Sequence, residues 1–178
     1  TNDGTVGSVS LSFAEADALL NGTTDASQTG TGAADVTVTG TISVAQAFDV
    51  LGATYYISDT AETVAAAMIA EDASGVNGAQ TITTTNDGNV DLSFAEADAL
   101  LNGTTDASQT GTGPEDVTVT GTISVDQASK VLDTTYNISD AAHIVAAAMN
   151  ASDAEVNNAL TITTTNDGNV DLSFAEAD

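Results

Sequence analysis

The feature that most constrains this chain is that it repeats itself. Ser-Phe-Ala-Glu-Ala-Asp stands at Ser12–Asp17, Ser93–Asp98 and Ser173–Asp178, so Phe13, Phe94 and Phe174 are spaced by 81 and then 80 residues. LLNGTTDASQTGTG runs from Leu19 to Gly32 and again from Leu100 to Gly113. DVTVTGTISV recurs at Asp35–Val44 and Asp116–Val125, and TITTTNDGNVDLSFAEAD at Thr81–Asp98 and Thr161–Asp178. Self-similarity at a fixed period marks repeat architectures, in which one unit cannot bury its apolar face alone and its neighbours complete it. The chain divides into repeat 1 (1–80), repeat 2 (81–160) and the start of repeat 3 (161–178). The third stops at Asp178, where the earlier copies continue into ALLNG; this reads as an excerpt of a longer array or a subunit completed by its neighbour.

The copies differ mainly over Phe48–Gln80, with one residue lost near Ser74–Gly75. The apolar frame Val50, Leu51, Ile57, Val64 and Met68 persists as Val131, Leu132, Ile138, Val145 and Met149. Exchanges such as Glu62 against His143, or Asp49 against Lys130, read as solvent-side drift.

A local signature recurs within each copy: a short β-type run, then Ser or Asp, then Glu or Gln three residues on. Ser43 with Gln46, Ser93 with Glu96, Ser124 with Gln127 and Asp59 with Glu62 fit the capping box, in which each partner satisfies the other's free amide. Helical runs follow: FAEADALL ending at Asn102-Gly103, VAQAFDVL ending at Gly52, and TAETVAAAMIA, with Gly or Asn suited to a left-handed C-cap. Strand candidates rich in Thr, Val, Ile and Tyr precede the caps: VTVTGTIS, TYYIS, TITTT and VDLS. Thr83–Asn89 predicts a turn, and GTG at Gly30–Gly32 and Gly111–Gly113 predicts loops. Strands alternating with short helices read as βα units with right-handed crossovers. The expected fold is α/β, with tandem repeats of about 80 residues forming an elongated strand–helix solenoid. The alternative is a β-solenoid or β-rich fibre with short helices. Small side chains in Ala65–Ala67 suit a helix lying close on a sheet.

Composition closes several doors. One Lys or Arg stands against 26 Asp plus Glu, a formal charge of −25, so the chain cannot neutralise a row of phosphates and a nucleic-acid partner is excluded. The same deficit argues against an anionic membrane surface, and no apolar run reaches the roughly 20 residues of a bilayer span. Without Cys there are no disulfides, thiolate zinc sites or iron–sulfur clusters. No leader peptide is visible in a sequence that starts at Thr1. Hydrophobic residues at 42% against 15% charged predict a folded chain despite the net charge.

Catalysis is poorly provided for. The only His, His143, faces Glu62 in the other copy, and Lys130 is likewise unmatched, so neither belongs to the repeating design. The chain reads as no enzyme. Calcium is the stronger candidate. Asn86-Asp87-Gly88-Asn89-Val90-Asp91 resembles the middle of an EF-hand or dockerin-type loop, nominating Asp87, Asn89 and Asp91, with Asp167, Asn169 and Asp171 in the next copy. Thr83, Thr85 and Phe94 fill the first, third and twelfth ligand positions, so the full EF-hand pattern fails; the competing reading is a solvated acidic surface. Thr37-Val38-Thr39 and Thr81-Ile82-Thr83 suggest Thr ranks of the ice-binding kind, against the plainer half-buried strand. Sequons at Asn21, Asn102, Asn137 and Asn150 permit glycosylation in a compartment that performs it.

TISVAQA…YYISDTAETVAAA and TYNISDAAHIVAAA resemble repeats of very large, acidic, Cys-free surface proteins of aquatic bacteria, over Val36–Ala67 and Val117–Ala148. The resemblance implies a secreted or cell-surface adhesin, coat or fibre and transfers no catalytic residue. The expected function is structural: an extracellular filament or surface layer built by head-to-tail stacking of adjacent repeats or copies. The alternatives are a calcium-dependent adhesin or ligand-binding segment and, less favoured, an ice-binding surface.

Overall fold

Short-range hydrogen bonding starts the helices. Ser93 Oγ accepts from the Glu96 N–H (3.3 Å) while Glu96 Oε2 accepts from the Ser93 N–H (2.8 Å). Ser12–Glu15, Ser43–Gln46 and Ser124–Gln127 make the same reciprocal pair. Each box turns an extended run into a helix, giving a computed structural model of mixed α/β type with mostly parallel sheets. It describes residues 8–22, 31–86, 88–103 and 108–166.

In chain order, β1 (Val9–Leu11) leads into α1 (Phe13–Asn21), and β2 (Val36–Ile42) into α2 (Val44–Ala47). Then come β3 (Thr54–Thr60), α3 (Ala61–Ile69), α4 (Ser74–Asn77) and β4 (Thr81–Thr85). The second copy supplies β5 (Val90–Leu92), α5 (Phe94–Asn102), β6 (Ser108–Thr110), β7 (Val117–Val119) and α6 (Val125–Ala128). It ends with β8 (Asn137–Ala141), α7 (Ala142–Ala151), α8 (Ala154–Asn157) and β9 (Thr161–Thr165).

Two compact units result, interleaved in sequence: Thr1–Thr85 with Thr104–Gly111, and Asn86–Gly103 with Thr112–Asp178. The first unit holds a five-stranded sheet in the order β1-β2-β3-β4-β6, every neighbouring pair parallel. Its strands follow one another in sequence order without doubling back. Ile42, Ile57 and Ile82 stand in register as one apolar rank. The second unit repeats the scheme: β5 pairs β7, bridges Thr118↔Thr135 and Ile123↔Ile138 continue the order, and β8 pairs β9. Gly40, at φ +78, sits where the β2–β3 register shifts, and Gly121 repeats that backbone at φ +77; the bulge carries Ile42 back to the inward face.

The core of the first unit is built of small and β-branched residues, including Val36, Val38, Val50, Ile57, Val64 and Ile82, all fully buried. Val117, Val119, Val131, Ile138 and Val145 fill matching places in the second. One aromatic lies in each core. Tyr55 donates its hydroxyl to the Gly75 carbonyl and Tyr136 to that of Glu155, both at 2.8 Å, which ties the last short helix to the sheet. Burial pushes both phenols above their ordinary value, helped at Tyr136 by the nearby charges of Glu155 and Asp133.

Several local expectations change. The helix expected over VAQAFDVL breaks after Ala47 into a 3₁₀ turn, Phe48–Val50, closed by Gly52 at φ +86. Gly22 and Gly103 end their helices in extended backbone, φ −62 and −63, and not in the left-handed cap. Thr60, not Asp59, caps α3; its hydroxyl accepts from the Thr63 N–H at 3.2 Å. Leu51 and Met149, expected in the apolar frame, are 42% and 59% exposed. The one-residue difference falls between α3 and α4, since Ala70 matches Ala151 and Ser74 matches Ala154. The shorter link is closed by Ser152 at φ +60. Thr83–Thr85 belong to β4 rather than to a turn, and Ser108–Thr110, to which the sequence assigned no element, form β6.

Candidate functional site

Most acids whose contacts are defined hold backbone amides. Glu15 and Glu96 accept from Ser12 and Ser93, and these side-chain and backbone hydrogen bonds hold both carboxyls below the ordinary carboxylate range. Asp72 is lowered in the same way by the side chain and amide of Ser74. Asp59 accepts from the Val44 and Thr60 N–H groups (3.0 and 2.9 Å), and Asp140 from those of Val125 and Ala141 (3.0 and 2.7 Å). Each carboxylate thereby pins the start of one helix to the next strand. Asp35 and Asp116 accept from Gly32 and Gly113. Asp17 and Asp98 accept from Asn21 and Asn102, which also donate to the Asp49 and Lys130 carbonyls. The sequon amides at Asn21 and Asn102 are thus engaged in the fold.

Of the six residues nominated for calcium, Asn89 and Asp91 are exposed, Asp91 on β5 in register with Thr118. Asp87, Asp167, Asn169 and Asp171 lie outside the described residues. Among the described residues no three His, Asp or Glu side chains come together in a way that would hold a metal ion. His143 is exposed in the first turn of α7, and Lys130 makes a solvent-exposed ion pair with Asp98 at 3.6 Å. Also among the described residues, no helix is long and apolar enough to cross a membrane.

Beyond these contacts, the structure shows one strand sequence, TITTT, twice with different surroundings. In the first unit, β4 lies between β3 and β6, with Thr81↔Ser108, Ile82↔Gln109 and Thr83↔Thr110 in register. Thr84 Oγ1 donates to the Thr110 carbonyl (3.3 Å), and the Thr83 and Thr110 hydroxyls lie 3.3 Å apart. Next to them Gly111 adopts φ +122, where a Cβ would sit 2.2 Å from the Thr84 carbonyl oxygen, so only glycine fits. Ile82 is fully buried and Thr84 7% exposed. The strand β9 has the same sequence, TITTT, and among the described residues it pairs with β8 alone. All five of its residues are exposed, Ile162 at 38%. Leu160 (69%) precedes it, and α7, which packs on it, carries exposed Ile144 and Met149.

Sequence reasoning missed β6 because Ser-Gln-Thr has no apolar alternation. The available signal was its identity in both copies despite having no core residue to keep. No known protein family, curated protein or solved structure matches this chain.

Proposed function

We propose that this chain is a segment of an extracellular structural protein whose repeats stack end to end as an α/β solenoid, forming a filament or surface layer. The observation that carries the reading is the make-up of the first unit. Its sheet runs in sequence order, all parallel, and its last strand is drawn from the second copy. A repeat finished by its successor is a unit designed to have one. The acids fit this reading too, since among the described residues they serve repeatedly as amide acceptors. Outward side chains carry the rest of the negative charge, which keeps lateral surfaces apart. Divalent cations or high salt relieve that repulsion so that ends can meet.

Electron microscopy of the concentrated protein tests the reading. Linear or sheet-like assemblies in calcium or high salt, loosening on chelation at low ionic strength, are expected; isolated particles under every condition contradict it. Equal thermal stability with calcium and with chelator at low salt would sink the cation part alone.

The rival reading, an adhesin segment with a ligand-binding variable stretch, predicts differences between copies concentrated on one exposed face. Instead they spread over β3 (Tyr56 against Asn137), α3 (Glu62 against His143, Thr63 against Ile144) and the following loop. Two are compensating: the Phe48 ring lies 3.0 Å from where a Cβ on Gly75 would stand, and the second copy has Ser129 with Glu155 there. Drift constrained by packing favours a passive scaffold.

A further inference from the structure

Parallel sheets are nearly always covered on both faces, and the five-stranded sheet of the first unit is covered on one. Helices α1 to α3 pack on the side that carries Val38, Tyr55, Ile57 and Ile82, all fully buried, and the Tyr55 hydroxyl ties α4 there. On the other side, from Ser10 on β1 to Thr110 on β6, every described side chain is Ser, Thr or Tyr, half-buried or exposed. A chain of net charge −25 keeps this face free of charge. We propose that the face binds a neutral polysaccharide, with Tyr56 at its centre. The inference goes beyond the stacking reading, since it needs the sheet of the first unit and not its neighbours.

Register places Thr41, Tyr56 and Thr81 in one row across β2, β3 and β4, with Thr54 and Ser58 on either side of Tyr56 along β3. Among the described residues, no hydrogen bond engages these five hydroxyls. Those nearer the margin are engaged. Thr39 donates to the Leu11 carbonyl (3.1 Å) and Thr85 to that of Asp59 (3.3 Å), while the Thr83 and Thr110 hydroxyls lie 3.3 Å apart. A hydroxyl both donates and accepts, so the five offer the two-way hydrogen bonding that sugar hydroxyls use. The Tyr56 ring, 38% exposed, is a platform for the apolar face of a sugar ring.

Charge and area choose the occupant. An anionic polymer would meet no cation on this face and the field of 26 acids around it; a neutral glycan feels neither. Five strands about 4.8 Å apart and about five residues long make a face on the order of 300 Å². A stable contact with a second copy needs roughly 800 Å² per partner, whereas a single glycan chain needs far less. Ice requires a flat lattice, which Tyr56 among the threonines and the twist of an open sheet interrupt. The second unit supplies an internal control. Asn137 stands there for Tyr56, and its Oδ1 accepts from the Thr161 hydroxyl at 2.6 Å, so that row has no ring and closes on itself.

The full chain is titrated with cellohexaose, mannohexaose and maltohexaose, and with hexagalacturonate as the anionic contrast, by calorimetry and by the NMR signals of its tyrosine rings. The expected result is millimolar or tighter binding of at least one neutral sugar, with equal strength in low and high salt. It should shift the Tyr56 ring and leave the buried rings of Tyr55 and Tyr136 in place. Tyr56→Asn, with an unchanged circular dichroism spectrum, should weaken binding by about tenfold, and Tyr56→Phe should keep most of it. Binding that survives Tyr56→Asn, or that prefers hexagalacturonate, overturns the proposal. So does the failure of all three neutral sugars to bind at millimolar concentration; thermal hysteresis of freezing in that case would assign the face to ice.

Discussion

Among the described residues, two carry left-handed backbone without being glycine. Asp133 (φ +70) stands where the first copy has Gly52, and Ser152 (φ +60) closes the shortened link after α7. A left-handed conformation costs an L-residue roughly 1–2 kcal/mol, less for Asp, whose short side chain bonds locally. Asp133→Gly and Ser152→Gly are therefore expected to stabilise the second unit by about 0.5–1 kcal/mol each after glycine's own entropy cost. Urea denaturation measures this, and Asp133→Asn separates conformation from charge. The capping glutamates make a second residue-scale prediction. Glu15 and Glu96 titrate below the ordinary value when folded, so their contribution is complete above that value and fades as pH falls through the lowered one. Carboxyl NMR titration should show both midpoints below the common glutamate value, with Ser12→Ala raising that of Glu15 part of the way back, since the residue-12 amide still donates to it, while leaving Glu96 unchanged. An ordinary midpoint for Glu15 in the unmutated chain would refute the box as an energetic feature.

At the scale of elements, the exchange of Phe48 with Gly75 for Ser129 with Glu155 is a packing statement. Glu at 75 collides with the Phe48 ring, and overpacking of this kind costs about 1–3 kcal/mol. Gly75→Glu should destabilise the first unit by that amount, and adding Phe48→Ser should recover much of it; a double-mutant cycle with no coupling would contradict the contact. Much of this level was legible in the sequence. Ser–x–x–Glu and Ser–x–x–Gln mark four helix starts because capping is local, and alternating Thr with Val or Ile marks β2 and β4 because one face is buried. What failed depended on tertiary context. The helix over VAQAFDVL tightens after Ala47, and Asp59 leaves the cap position to bind Val44 in the preceding βα unit, fifteen residues back. Of the calcium candidates only Asn89 and Asp91 are described, both exposed. The strand edge was invisible for another reason: β6 is polar and brief, so its pairing depends on β4 rather than on any pattern of its own.

For the whole molecule, the central claim is that one copy ends where the next begins, by lending a strand. The first unit already includes β6 from the second copy, in register on β4. Amide hydrogen exchange at β4, compared between the unchanged chain and Gly111→Ala, tests this most directly, because a Cβ at Gly111 would sit 2.2 Å from the Thr84 carbonyl oxygen. The account predicts that the amides among Thr81–Thr85 that face β6, slow in the unchanged chain, exchange faster once Gly111→Ala displaces that strand. Protection at Thr81–Thr85 that is the same in both proteins would contradict it.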